Sequence, residues 1–458
     1  VVLTTLFLLI IIGVVRAPAF FWSVINWDES IYLLISRDML DGDVLYTGIW
    51  DRKQPLTFVL FAIAQLALGT SVLTMRVLGC LGVAATSFGL YIIGRRTFGD
   101  SLSGPAAAAV LYAVFSVSSG GLATNTEILF APFVVAAVAL VLPWWLDAAT
   151  ADGLSPLACA GSGLLIGLAT FTKLIAVFDG AFIGLLLVTG WIMMARKPAA
   201  GPSPGWIASR VGAMLVGVLT PWIAGAAYFV SAGAFDDFVF ANFTFNRMNL
   251  ADRPPFELKN LWLVGERLVT TQNGLLWLGL GLGSLPLIAK PDWLSRRDRR
   301  LLGALVAWAV VDTLAAVSLR RLYLHYYLQP TPALALIGGL LFTRIWTVTT
   351  RIPKVVKVVI AAGLLVPQGL RVTERWRQIG VMTDVPAVVA SHIAGRVQPG
   401  DCIFVANYQP IIYVLTETNS PTRWAFPQFL ISPVYRQRLE IDIEKEMASI
   451  FAHEPRSV

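Results

Sequence analysis

Charge is scarce in this chain. Lys, Arg, Asp and Glu make up 14% of its 458 residues, against about 25% in an ordinary soluble domain. That shortage excludes a disordered chain, a nucleic-acid-binding module and a typical cytosolic enzyme. Cysteine is scarcer still: Cys80, Cys159 and Cys402 are too few for a disulfide framework and show no metal-ligand spacing. Only three histidines, His325, His392 and His453, are present. They lie far apart, which argues against a His-rich metal site. No Gly-x-Gly-x-x-Gly precedes a helical pattern, so no dinucleotide fingerprint is present, and no repeat or low-complexity tract stands out.

What the chain has instead is apolar length: 56% of its residues are hydrophobic and its mean hydropathy is +0.70. A run of about 20 apolar residues spans a bilayer as a helix, because lipid offers no partner to backbone groups. Eleven runs are expected to do so: 1–21, 72–94, 104–119, 127–146, 155–171, 174–194, 210–230, 273–289, 301–319, 328–346 and 355–371. The chain opens at Val1 without an initiator Met or a basic flank, so the sequence is expected to lack a true N-terminus and its first run is not taken as a signal peptide. Cations concentrate in short connectors, Arg95-Arg96, Arg196-Lys197 and Arg296 to Arg300 among them. By the positive-inside rule these connectors and the N-terminus are cytoplasmic and the C-terminus is outside. The net charge of +7 therefore reads as membrane topology, not as affinity for nucleic acid.

Three segments interrupt the pattern, all on the expected outer side. The loop 22–71 holds an acidic cluster and an apolar stretch, Pro55–Leu68, too short to span and suited to lie in the interface. The segment 231–272 is rich in aromatics and Asn. Residues 372–458 read as a small soluble α/β domain, with helices at 385–397 and 436–451 and a buried strand at 401–406. The expected domains are thus a membrane module, 1–371, and an extracytoplasmic domain, 372–458. The latter ends at Val458, where a further strand would fit, and it offers a surface for an acceptor or a partner protein.

The residues able to carry chemistry lie at these outer boundaries. Asp28 and Glu29 follow the first run directly. A carboxylate near lipid loses hydration and gains proton affinity, although Asp28 is equally suited to cap a helix. Arg52 and Lys53 stand at phosphate depth, able to hold a lipid phosphate or only to anchor the loop. Glu127 opens a span at its N-terminus, where a carboxylate also complements the helix dipole. Lys173 sits at a span boundary, either functional or snorkelling. Arg320, Arg321, His325, Tyr326 and Tyr327 cluster where a late span re-enters, which is also where an aromatic belt belongs.

Together these motifs resemble the GT-C class of membrane glycosyltransferases, in particular lipid A aminoarabinose transferases and protein O-mannosyltransferases. The resemblance rests on Trp27-Asp28-Glu29, on Lys53-Gln54-Pro55-Leu56, on Asn242 through Arg247 and on Tyr326 through Ala335, in that order over roughly 1–345. Gln54 stands where the class usually has a second proline. The resemblance implies an all-α polytopic fold and transfer of a sugar from a polyprenyl-phosphate donor to a lipid, glycan or protein acceptor outside the cytoplasm, at the cell membrane. It implies that Asp28 takes or positions the acceptor proton with support from Glu29 or Glu127. Lys53, Arg247 and one of Tyr326 or Tyr327 would then bind the phosphate, with Arg52, Lys173, Arg320, Arg321 and His325 as further candidates. A phosphate leaves as a stable anion, so one base and cationic clamps suffice where glycosidases use two carboxylates. No cofactor is expected, and the reading leaves metal dependence open. A secondary transporter and a non-catalytic lipid-binding subunit are the rival readings. Transporters place ionisable groups near the midplane and show repeated halves, whereas these charges gather in outer loops.

Overall fold

The computed structural model describes residues 2–99, 102–147, 153–196, 202–251, 262, 274–320, 323–348, 353–453 and 455. Its longer helices begin with α1 (Val2–Arg16), α2 (Trp27–Leu40), α3 (Pro55–Leu68), α4 (Val72–Thr97) and α5 (Ser103–Phe115). There follow α6 (Thr126–Leu146), α7 (Pro156–Thr172), α8 (Val177–Ala195) and α9 (Pro204–Ser231), then the short α10 (Phe235–Val239) and α11 (Phe245–Ala251). The last long ones are α12 (Gly274–Ala289), α13 (Arg296–Ser318), α14 (Thr331–Thr343) and α15 (Lys354–Ile379). Five small helices close the chain: α16 (Val385–Ala394), α17 (Ile411–Leu415), α18 (Gln428–Ile431), α19 (Pro433–Arg438) and α20 (Ile443–Ala452).

Two expectations are met only in part. Of the eleven expected spans, six are long and apolar enough to cross a bilayer among the described residues: Leu3–Phe21, α4, α6, Leu174–Ala195, α9 and α13. The runs at 104–119, 155–171 and 273–289 form helices of 13, 17 and 16 residues. The run at 328–346 is divided into a 3-10 turn, a 13-residue helix and a π turn, because Pro330 and Pro332 interrupt its start. The second concerns residues 372–458. Among the described residues no strand forms, and 401–406 makes one isolated bridge, Cys402 to Asn419. The pairing cannot lengthen, since Asn407 turns the chain with φ 50° and Pro421 follows Asn419 closely. The expected border at 371 also falls inside α15, which continues to Ile379.

The bundle is ordered by its ends. At one end Arg297, Arg300 and Arg344 donate to carbonyls of Thr97, Leu146 and Phe98, and Arg344 pairs with Asp298 at 2.7 Å. The opposite end gathers α2, α3 and the N-termini of α4, α6 and α8. Close approach of α7 to α9 depends on glycine: a Cβ on Gly163 would stand 2.0 Å from Met214 O, and one on Gly217 2.2 Å from Ala160 O. This packing holds Lys173, just past α7, at that second end.

The C-terminal region shares a hydrophobic core with the 22–71 segment. Trp50 joins them: its N–H donates to Arg423 O at 2.9 Å, and its ring meets Phe429 at 4.8 Å and Phe245 at 5.1 Å. Arg37 donates to Thr418 O, and Arg52 to the Tyr435 hydroxyl. The start of α2 is set by a capping box. Asn26 Oδ1 accepts from Asp28 N at 3.0 Å while Glu29 Oε1 reaches back to Asn26 N. Asn26→Ala is expected to lower stability by about 1 kcal/mol in thermal unfolding of the purified protein. An unchanged midpoint would mean that Glu29 alone holds this end.

Candidate functional site

The capping box sends the two adjacent carboxylates in different directions. Glu29 turns inward and is fully buried. Its Oε2 lies 2.6 Å from Arg76 Nη1 and accepts from Thr124 N, and its Oε1 accepts from Ile25 N at 2.8 Å. Both of its oxygens are thus committed to the scaffold. Asp28 points the other way. Its Oδ2 is 3.1 Å from Lys53 Nζ and accepts from the Tyr32 hydroxyl, one turn along α2, at 3.2 Å. Lys53 is itself positioned through its backbone, whose N–H donates to Asp51 and whose carbonyl accepts from Tyr46.

Burial, the largest single influence, would raise the Asp28 pKa, but Lys53, His325 and Arg52 together outweigh it and hold the carboxyl well below the usual aspartate value. Burial likewise opposes the charge on Lys53, and Asp28 with Tyr32 reverses that, so the ammonium stays protonated far above neutral pH. His325 goes the opposite way: burial lowers its pKa, with Glu127 and Lys173 acting against each other. It is therefore neutral at physiological pH.

A second ion pair, Lys173 with Glu127, lies beside the first. The Lys173 ammonium stands 4.3 Å from the centroid of the Tyr326 ring, and His325 packs edge-on against the same ring at 4.7 Å. The turn carrying these residues is anchored from below. Gln329 donates to Asp179 of α8 at 3.0 Å, and Asp179 also accepts from Trp308 of α13.

Between these groups lies a cavity of about 470 Å³, within the range of small-molecule sites. Arg52, Lys53, Lys173, Asn246, Arg247 and Tyr326 are among its lining residues. A π turn at Phe240–Thr244, which holds Asn242, joins α10 to α11, which holds Asn246; Asn246 donates to Arg52 O at 3.2 Å. Gln54 caps the rim and accepts from Leu174 N.

The structure therefore brings Lys53, Arg247, Arg52, Lys173 and Tyr326 to one cavity, with Asp28 bonded to Lys53. It does not bring Tyr327, which is fully buried in the main core, nor Glu29. Arg320 occupies an exposed turn with φ 53° and does not line the cavity. Arg321 lies outside the described residues. Among the described residues no three His, Cys, Asp or Glu side chains group to hold a metal ion. Tyr32, Asn246 and the Arg76 partner of Glu29 were not among the candidates read from the sequence. Tyr32 stands four residues after Asp28, a helical spacing that could have shown it; Arg76 offers no local signal.

No protein-family model matches the chain, and no curated protein does. Solved structures do. ArnT from Cupriavidus metallidurans, with undecaprenyl phosphate bound, superposes with a TM-score of 0.61 at 18% identity over 94% of this chain and 88% of its own. The archaeal oligosaccharyltransferase AglB from Archaeoglobus fulgidus, in complex with an inhibitory peptide and a dolichol-phosphate, gives a TM-score of 0.51 at 13% identity over 92% of this chain. The chain spans 64% of the length of that oligosaccharyltransferase. Both neighbours are GT-C glycosyltransferases, and their fold is the fold of this chain.

Proposed function

We propose that this protein is a glycosyltransferase of the cell membrane that moves a sugar from a polyprenyl-phosphate donor to an acceptor at the extracytoplasmic face. The observation that carries the reading is the cavity itself. It is lined by Lys53, Arg247, Lys173 and Arg52, and its cation at 53 is bonded to an acidic side chain. A lipid phosphate suits such a lining, because charge-assisted bonds to its oxygens strengthen in a water-poor site. In the transfer the bond from the sugar's anomeric carbon to the phosphate oxygen breaks and a bond from that carbon to the acceptor oxygen forms. The acceptor proton passes to Asp28, and polyprenyl phosphate departs as an anion held by Lys53 and Arg247. Tyr326 donates its phenol to the same oxygens, and Glu127 fixes Lys173 at the edge of the cavity. If the acceptor oxygen belongs to a phosphate, no proton moves and Asp28 positions the acceptor.

Asp28 and the donor phosphate compete for one ammonium. Lys53 bonded to Asp28 depresses the carboxylate's basicity, and a bound phosphate that draws Lys53 away restores it. The donor thus switches on the base it needs.

The test is binding of polyprenyl phosphate to purified protein. Lys53→Ala and Arg247→Ala are each expected to weaken it about tenfold or more, the worth of one charged hydrogen bond, with little change in unfolding temperature. Equal affinity in both variants would place the phosphate elsewhere and remove the basis of the assignment.

A further inference from the structure

A second cavity, of about 450 Å³, opens beside the turn 323–328. Leu324 lines it, while Tyr326, two residues on, lines the Lys53 cavity. One short turn therefore contributes to both spaces. The floor of the second cavity is the segment after α5, Ser118-Ser119-Gly120, and its wall is the end of α15, which supplies Arg371, Arg375 and Gln378. Val15 of α1 gives it an apolar side.

The floor is rigidly built. Ser119 and Gly120 both adopt left-handed backbone, at φ 54° and 76°, which is uncommon for serine. The next two carbonyls, Gly121 O and Leu122 O, accept from the guanidinium of the fully buried Arg16 at 2.8 and 2.9 Å. Ser118 Oγ donates to Gln368 Oε1 of α15 at 3.0 Å. Ser119 Oγ is buried without a hydrogen-bond partner among the described residues.

The wall supplies charge. Arg371 and Arg375 are four residues apart and so share a face of α15. Glu374 also borders the cavity, but its carboxylate lies 3.8 Å from Arg377, in an exposed pair. Arg375 Nη1 donates to Gln378 Oε1 at 3.1 Å, and the remaining donors of two guanidiniums on one helix face suit the oxygens of a phosphate, which arginine binds in a forked geometry. The setting adds an apolar requirement. Val15, Val117 and Leu324 line the cavity, α1 carries exposed Ile10 and Val14 away from it, and Phe21 meets Trp376 at 6.0 Å near its rim. A phosphate attached to hydrocarbon chains satisfies both halves; a free anion satisfies one.

We propose that this cavity is a site for an anionic phospholipid of the surrounding bilayer, separate from the Lys53 cavity, with its phosphate on Arg371 and Arg375. Its occupant supports the 118–120 segment and Leu324, and through them the turn that carries His325 and Tyr326.

The test uses the full chain in phosphatidylcholine nanodiscs, titrated with dioctanoyl phosphatidylglycerol and read by native mass spectrometry. Dioctanoyl phosphatidylcholine and inorganic phosphate serve as the comparison probes. Phosphatidylglycerol is expected to bind wild type and K53A/R247A alike and to lose tenfold or more in R371Q/R375Q. R371K/R375K, which keeps the charge and loses the fork, should retain only part of the affinity, and R375Q alone, at an exposed position, should lose part of it with an unchanged unfolding temperature. Polyprenyl phosphate should bind R371Q/R375Q as it binds wild type, and together with phosphatidylglycerol. Equal phosphatidylglycerol affinity in R371Q/R375Q and wild type would overturn the site. So would phosphatidylcholine or inorganic phosphate binding as tightly as phosphatidylglycerol, or mutual exclusion with polyprenyl phosphate. Failure of the Lys53 assignment would leave this result standing, since its signal is read in K53A/R247A as well.

Discussion

Asp28→Asn is expected to reduce transfer about 10²- to 10⁴-fold, the range for loss of a general base, while the protein folds and binds polyprenyl phosphate at least as tightly as before. The sign of the binding effect follows from the geometry. Asp28 is one of the two groups that share the Lys53 ammonium, at 3.1 Å, and the neutral amide no longer competes with phosphate for it. The amide oxygen introduced by this substitution can still accept from the Tyr32 hydroxyl, so the first turn of α2 need not move. A purified variant with near-normal turnover would end the assignment of Asp28 as base. Such a result with unchanged donor affinity would also argue against the shared cation.

The same competition predicts a pH effect. In the free protein Lys53 holds Asp28 below its ordinary value of 3.8, so the pair's contribution to stability is present above that pH and is lost as pH falls through the depressed value. Asp28 therefore produces no acid limb in kcat/KM above 3.8. Once phosphate occupies Lys53, burial acts on Asp28 with less opposition and its pKa rises. The acid limb of kcat, which reports the bound complex, is expected at higher pH than that of kcat/KM. Coincident limbs would mean that Lys53 does not change partners.

Which parts of this were readable beforehand depends on whether a signal is local. Asp28 next to a membrane run, Lys53 before a proline helix and Arg247 after Asn246 are short patterns, and each falls where chain order suggests an outer end. Asp28 and Glu29 look alike in sequence because both occupy the first turn of one helix. Their difference comes from Arg76, 47 residues away, which claims Glu29 and leaves Asp28 to Lys53. Tyr326 and Tyr327 divide in the same manner: adjacent residues of a 3-10 turn point apart, and only one lines the cavity. Hydropathy located the apolar runs well but did not give the length of the helices they form. The runs at α5 and α7, for instance, form helices of only 13 and 17 residues. The strand expected at 401–406 failed for lack of a partner long enough to pair, a property of the chain at 417–421 and not of the apolar residues themselves.

The other large effect concerns the carboxylate that the sequence grouped with the base. Glu29 and Arg76 are both almost wholly buried, at 0% and 1% exposure, and removing one partner strands the other's charge. Arg76→Met is expected to cost about 3–5 kcal/mol, because Glu29 then keeps only its backbone donors, Ile25, Asn26 and Thr124. Glu29→Gln is expected to cost a similar amount, leaving Arg76 with the Trp22 carbonyl at 3.1 Å. A second buried guanidinium, that of Arg16, sharpens the need for an anion. It approaches the α4 backbone at Gly79, where a Cβ would stand 2.9 Å from Arg16 Nη2. The double variant, with neither charge, should recover much of the loss, since a neutral pair of similar volume can replace a buried ion pair at small cost. The measurement is unfolding of the two single variants and the double in the same detergent or nanodisc. Additive losses would show that the two charges act independently. Turnover per folded molecule then separates structure from chemistry. For Glu29→Gln it should stay within a few-fold of wild type below the unfolding temperature, whereas a drop matching that of Asp28→Asn would return Glu29 to the reacting groups. The physical reason to expect the former is that both its oxygens already face protein donors, and neither is free for an acceptor.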